Sequence, residues 1–159
     1  MMNDIQMEDL SEHIDFIPLH TEWHFKQWGD MTGVLTESGY ESLLFTHVST
    51  QEIPLTLVAV ENDKLLGSVN IVECDMSARS ELRPWLAQLY VHPRERGRGI
   101  GPALVHAAVA RTRKLGFDYL YLYTSGTLPS FYERIGWTRR ETVHYKGKDR
   151  TVMEMKLVG

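Results

Sequence analysis

A chain of 159 residues, 43% hydrophobic and 24% charged, can bury a core without staples, and its composition excludes the disordered and fibrous classes. A formal net charge of −4 supplies no general attraction to nucleic acid or to an anionic membrane, so neither is expected as a partner. Cys74 is the one cysteine, which excludes an intrachain disulfide; with no secretory start and no apolar run near the ~20 residues of a spanning helix, the chain reads as a cytoplasmic protein folded as one domain over 1–159.

Residues 13–19 read as a first strand, and 21–28 as a short helix with Thr21 as N-cap and Gly29 at the C′ position. A second helix is expected over 37–48. Two β-branched runs, 56–60 and 65–72, flank Glu61-Asn62-Asp63-Lys64 and signal a hairpin. After a polar loop at 75–84, residues 85–91 are apolar enough for a central strand. Ile100, Leu104, Ala107, Ala108 and Leu115 then recur at helical spacing, with Pro102 suited to the first turn and Gly116 to the C′ position after Arg111, Arg113 and Lys114. Residues 119–124 form another strand and 130–135 a short helix that Ser130 would cap; 137–145 and 151–157 form a closing hairpin. A strand, crossover helix and strand imply a parallel central pair, whereas hairpins imply antiparallel neighbours. The expected fold class is therefore α/β, with a mixed, mostly antiparallel sheet flanked by helices.

The central strand meets the long helix through Arg94-Glu95-Arg96-Gly97-Arg98-Gly99-Ile100-Gly101. Glycines leave backbone N–H groups uncovered, and a helix start adds unpaired donors and a positive dipole, so this turn can cradle an anion. Arg94, Arg96 and Arg98 add charge for a ligand with several phosphates. The P-loop pattern fails because Gly101 is followed by Pro102 and Ala103 rather than Lys and Ser or Thr. The dinucleotide fingerprint fails too: counting from Gly97 ends on Pro102, and from Gly99 on Leu104.

Arg96-Gly97-Arg98-Gly99-Ile100-Gly101 is similar to the acyl-CoA loop of the GNAT (GCN5-related N-acetyltransferase) superfamily, with Leu89-Tyr90-Val91 ahead of it in the usual place. The resemblance extends over nearly the whole chain and implies an acetyl-CoA-dependent N-acetyltransferase. It implies that backbone groups from Gly97 to Gly101 take the CoA pyrophosphate, and that Leu89 and Val91 meet the pantetheine arm where the central strands splay. Ser130-Phe131-Tyr132-Glu133-Arg134-Ile135-Gly136-Trp137 resembles the second landmark of that superfamily, in which the tyrosine matching Tyr132 commonly protonates the departing thiolate. Ser125 and Leu128 depart from the pattern, standing where many members carry Asn and then Ala.

Transfer to an amine needs a neutral nucleophile and therefore a proton acceptor. The glutamate that many members carry on the strand before the loop is absent, since Ala87, Gln88, Leu89 and Tyr90 stand there. Asp75 ranks first as a substitute, ahead of Glu73, Glu81 or a water chain. By the resemblance, the acceptor cleft offers Glu22, Trp23, Trp28, Tyr40, Asp75, Glu81 and Trp85, aromatic and acidic groups that suit a cationic amine. Trp23 and Trp28 read equally well as core residues. A small molecule or a peptide could be the acceptor, a homodimer is left open, and a non-catalytic acyl-CoA sensor is the rival reading. His20 and His24 share a helix face without a third ligand, so no metal is expected and both read as surface or cleft residues. Cys74 reads as a small buried hydrophobe.

Overall fold

The computed structural model describes residues 5–32 and 36–158, with backbone alone for 29–32. One sheet has the strand order β1-β2-β3-β4-β5-β7-β6, with β1 at Gln6–Asp9, β2 at Leu55–Glu61, β3 at Lys64–Val72 and β4 at Trp85–Val91. β5 is Tyr119–Thr124, β6 Thr138–Tyr145 and β7 Lys148–Lys156; the helices are α1 (Ile17–Thr32), α2 (Glu37–Leu44), α3 (Ile100–Lys114) and α4 (Leu128–Arg134). The expected order of strands and helices holds, as does the mixed sheet: β4 and β5 are parallel and every other neighbouring pair is antiparallel.

The first two elements differ from expectation. Residues 13–19 are not a strand; they form a 3₁₀ turn, Ile14–Phe16, that runs into α1, while the true edge strand is Gln6–Asp9. The apparent alternation at Ile14 and Phe16 is misleading, because Ile14 is half exposed. Thr21 is a buried residue inside α1 rather than its cap, and Gly29 lies within the helical span rather than after it. The inward side of α1 carries Ile17, His20, Thr21 and His24, so its burial follows a helical period that apolar patterning does not display. Likewise Ser130 sits inside α4, which begins two residues earlier with Pro129 in its first turn. Both hairpin turns have two left-handed residues, Asn62-Asp63 and Lys146-Gly147, as the right-handed strand twist favours, so β7 starts at Lys148.

Alternation sends Leu57, Ala59, Val69 and Ile71 to one face, where they pack with Leu104, Val105 and Ala108 of α3. Val58, Val60 and Leu65 turn to the other, under Ile17 of α1 and Tyr40 and Leu44 of α2. Where β3 passes the end of β4, a Cβ on Gly67 would lie 2.6 Å from the Tyr90 carbonyl oxygen and 3.2 Å from Val91 Cα. Gly67→Ala is therefore expected to lower the unfolding free energy by ~1–3 kcal/mol, since the obstacle is backbone. An unchanged denaturant midpoint would show that the two strands part without cost. Among the described residues, no helix is long and apolar enough to cross a membrane.

Candidate active site

β4 and β5 share one register pair, Trp85 with Tyr121, and diverge beyond it. The loop after β4 turns into α3 through Gly97 (φ +83°) and Gly99 (φ +78°), left-handed conformations that glycine adopts without strain. A Cβ at either position would meet nothing within 4 Å, so the backbone lies open on that side. Gly99 is the N-cap of α3 and has no side chain to bond the first-turn N–H groups, and that turn carries no acidic residue. The cradle is thus uncovered and its dipole uncountered, which fits a phosphate-bearing ligand. Arg98 is less free than expected: it holds Glu61 at 2.9 and 3.2 Å and Glu95 at 2.7 Å, tying the loop to the β2–β3 hairpin. Arg94 and Arg96 remain exposed; Arg96 Nε donates to the Val91 carbonyl at 2.9 Å.

From the diverging strands a cavity of about 720 Å³ opens, and Leu89, Asp75, Tyr132, His47 and Trp28 are among its lining residues. Tyr132 is placed by the end of α4. Gly136 (φ +103°) terminates the helix, its N–H bonding the Glu133 carbonyl, while the Trp137 N–H bonds that of Tyr132. This double closure explains the spacing from Tyr132 to Gly136 and Trp137, whose ring packs 6.1 Å from that of Tyr132. Burial pushes the Tyr132 phenol up to about 12, so the hydroxyl stays protonated at neutral pH.

Asp75 lies beyond the end of β3, half-buried, with no hydrogen-bond or ion-pair partner among the described residues. Desolvation pushes its carboxyl up to about 7, against the opposing pull of Lys146. Its neighbour Glu73 is exposed and held down by a hydrogen bond from Arg83, which leaves it bound to a guanidinium.

A chain of buried polar side chains crosses the sheet behind the cavity. Gln88 interrupts β4 in a left-handed conformation (φ +54°), at a bulge where Ser68 faces Tyr90 but Asn70 faces Ala87. Its amide accepts from Asn70 at 2.6 Å and donates to the Tyr40 hydroxyl at 2.9 Å. Asn70 accepts from Thr56 at 2.7 Å, and Thr56 meets His47 Nδ1 at 3.2 Å. On the other side Tyr40 approaches His24 Nδ1 at 3.4 Å, and Ser68 lies 3.0 Å from His24 Nε2 and 2.7 Å from His20 Nε2. Burial holds His20 down to about 3 and His47 to about 4, and keeps His24 well below the usual imidazole range, so all three are neutral. His20 and His24 are accordingly core residues, not surface or cleft ones.

The remaining expected site residues divide. Trp28 lines the cavity, whereas Trp23 packs against Tyr90 and His92 at 5.5 and 5.1 Å. Glu22 and Glu81 are exposed outside the lining. Trp85 is fully buried and donates its indole N–H to the Leu82 carbonyl at 2.6 Å, so it is a core residue and offers nothing to a substrate. Cys74 is exposed and lines the cavity rather than filling the core, because β3 ends before it. Tyr40 reaches the cavity only through Gln88. His47, Gln88, Lys146 and Arg150 line the cavity and escaped the sequence reading. Gln88 alone left a signal, as the one polar side chain in Trp85–Val91.

Residues 15–137 match the Acetyltransferase (GNAT) family. N-alpha-acetyltransferase 30 of Schizosaccharomyces pombe is 28% identical over 108 residues, 66% of this chain and 71% of that protein. The yncA protein of Salmonella typhimurium, solved with its cofactor acetyl-CoA, superposes with a TM-score of 0.73 at 15% identity, covering 98% of this chain and 95% of that one. An aminoglycoside 6'-N-acetyltransferase complexed with coenzyme A gives 0.72 at 17% identity, over 100% and 98%. With the family matched over most of its length and the same fold in these structures, this chain belongs to the Acetyltransferase (GNAT) family.

Proposed function

We propose that this protein transfers the acetyl group of acetyl-CoA directly to the α-amine of a peptide or amino acid. The observation that carries this reading is the opening of the cavity between β4 and β5, with Asp75 and Tyr132 in its lining and the glycine cradle at the end of the same strand. Backbone N–H groups from Gly97 to Gly101, those of Arg98 and Ile100 among them, would hold the pyrophosphate, with Arg96 flanking them. Leu89, Tyr90 and Val91 would guide the arm. Acetyl-CoA supplies the activated acyl group as a thioester.

Asp75 Oδ would take the proton that an incoming ammonium must lose. Its carboxyl near 7 is matched to an α-amine at ~7.7–8.0 but falls more than three units short of an alkyl amine such as lysine at ~10.4, which favours the α-amine. Exposed Leu128 and Leu43, with Trp28, form an apolar part of the lining suited to the acceptor's side chain. The Tyr132 hydroxyl would donate a hydrogen bond to the departing sulfur. With the phenol near 12 and thiols at ~8.5, it stabilises the thiolate without fully surrendering its proton.

The test is a screen of free-thiol release from acetyl-CoA with tetra-alanine amide, its leucine-initiated counterpart, spermidine and an aminoglycoside. The peptides should be acetylated fastest. Binding of acetyl-CoA without amine-dependent thiol release would favour the sensor reading, and preference for spermidine would overturn the α-amine assignment. Tyr132→Phe is expected to lower kcat about tenfold to a hundredfold with the CoA dissociation constant unchanged, because only the hydroxyl is lost. A matched loss of CoA affinity would instead mark Tyr132 as a ground-state contact.

A further inference from the structure

The buried polar chain has a direction, and its direction decides what His47 presents to the cavity. Asn70 donates its amide N–H to Gln88, so its carbonyl oxygen is the atom that faces Thr56, and the single Thr56 hydroxyl hydrogen is used on it. Thr56 Oγ1 can therefore only accept from His47, which requires the proton of His47 to sit on Nδ1. A neutral imidazole has one ring proton, so Nε2 keeps its lone pair. Among the described residues no hydrogen bond reaches that nitrogen, and His47 lines the cavity.

We propose that His47 is an acceptor-binding residue: its bare Nε2 receives an N–H of the incoming amine and turns the amine's own lone pair toward the acyl group. This rests on the reading of the cavity as the amine site. A primary amine offers N–H donors and one lone pair, and it attacks only when the donors are held elsewhere. Burial, which holds His47 to about 4, separates its role from that of Asp75: an imidazole this weakly basic accepts a hydrogen bond at neutral pH without keeping the proton. Thr56, Asn70, Gln88 and Tyr40 are positioning residues, and the bulge at Gln88 is what turns its amide toward Asn70 and Tyr40. Reversing the chain would require both amides to rotate, would place the proton on Nε2, and would give the cavity a donor instead.

The ring states are read directly from two-bond proton–nitrogen correlation spectra of the ¹⁵N-labelled full chain at pH 7. The expected spectrum shows His47 protonated at Nδ1 and bare at Nε2; protonation at Nε2 overturns the proposal. Adding tetra-alanine amide with CoA should move the His47 Nε2 resonance and leave those of His20 in place, and an unmoved resonance counts against it. In kinetics with the same peptide, His47→Asn keeps a donor for Thr56 but places nothing at the Nε2 position. It should raise the peptide KM about tenfold without changing the acetyl-CoA KM, the effect of one lost hydrogen bond, and His47→Gln should recover most of that loss. An unchanged peptide KM in His47→Asn, or an equal rise for acetyl-CoA, overturns the assignment. If the parent acetylates no peptide, the α-amine reading fails while the spectra still decide the state of His47.

Discussion

Asp75→Asn is expected to slow acetyl transfer by ~10²–10⁴-fold, the span associated with loss of a positioned general base, and at the same time to raise the melting temperature at pH 8. Both effects come from one cause. In the folded protein the carboxyl is pushed up from 3.8 to about 7 by desolvation, so holding it ionised opposes folding. Below about pH 4 both folded and unfolded forms carry the proton and the residue contributes nothing. Between 4 and 7 the folded state keeps a proton that the unfolded state has released, and stability falls as pH rises. Above 7 the full penalty is present. Asparagine has the shape of the protonated acid, so its advantage should be greatest above pH 7 and absent below 4. The parent's kcat/KM for the amine should rise with pH through about 7, and this limb should vanish in the variant. A variant that turns over as fast as the parent would remove Asp75 from the chemistry, and one with no gain at pH 8 would show that its ionised form is well solvated.

The histidines act with the opposite sign, and their joint effect on stability is the largest expected in this chain. His20, His24 and His47 all have folded pKa values depressed below 6.5 by burial, so unfolding takes up protons as pH falls below that value. Each contributes about 1.4 kcal/mol of lost stability per pH unit; three histidines, less the opposing contribution of Asp75, leave a slope of about 3 kcal/mol per unit between pH 6.5 and 4. Between pH 6.5 and 4 such a slope removes about 7 kcal/mol, so from an ordinary total of ~5–15 kcal/mol the protein unfolds near pH 5 at the low end and only below about pH 4 at the high end. Urea titrations across this range measure it, and His20→Gln should remove about half of the net slope. A flat profile between pH 6.5 and 5 would mean that the three rings charge in place.

The parts of the fold legible in the sequence were those in which chemistry and period coincide. Leu104 and Ala108 mark the buried side of α3 by apolar spacing, Gly116 closes that helix, and Gly136 closes α4 in the way the order from Phe131 to Trp137 suggests. α1 departs from the expected pattern for the converse reason: two of its inward positions are histidines, tolerated because Ser68 of β3 and Tyr40 of α2 bond them, and one is a threonine whose buried hydroxyl has no hydrogen-bond partner among the described residues. No pattern local to residues 13–28 reports a partner so distant along the chain. Trp85 was misplaced because an aromatic beside a polar loop looks available until Leu82 is seen to cover it. Asp75 can be ranked from the sequence by position, but its raised carboxyl comes from burial, opposed by Lys146 of the β6–β7 turn, and neither is local to the sequence around it.

The single register pair between β4 and β5 has a further consequence for motion. On one side of it β1 to β4 form a continuous ladder; on the other β5, β7 and β6 form a second. Two ladders so weakly joined should open as separate cooperative units, each with its own amide-exchange rate in the native state. A molecule lodged between them would contact both, and would be registered as slower exchange in β4 and β5 together, at amides it never touches as well as at those it covers.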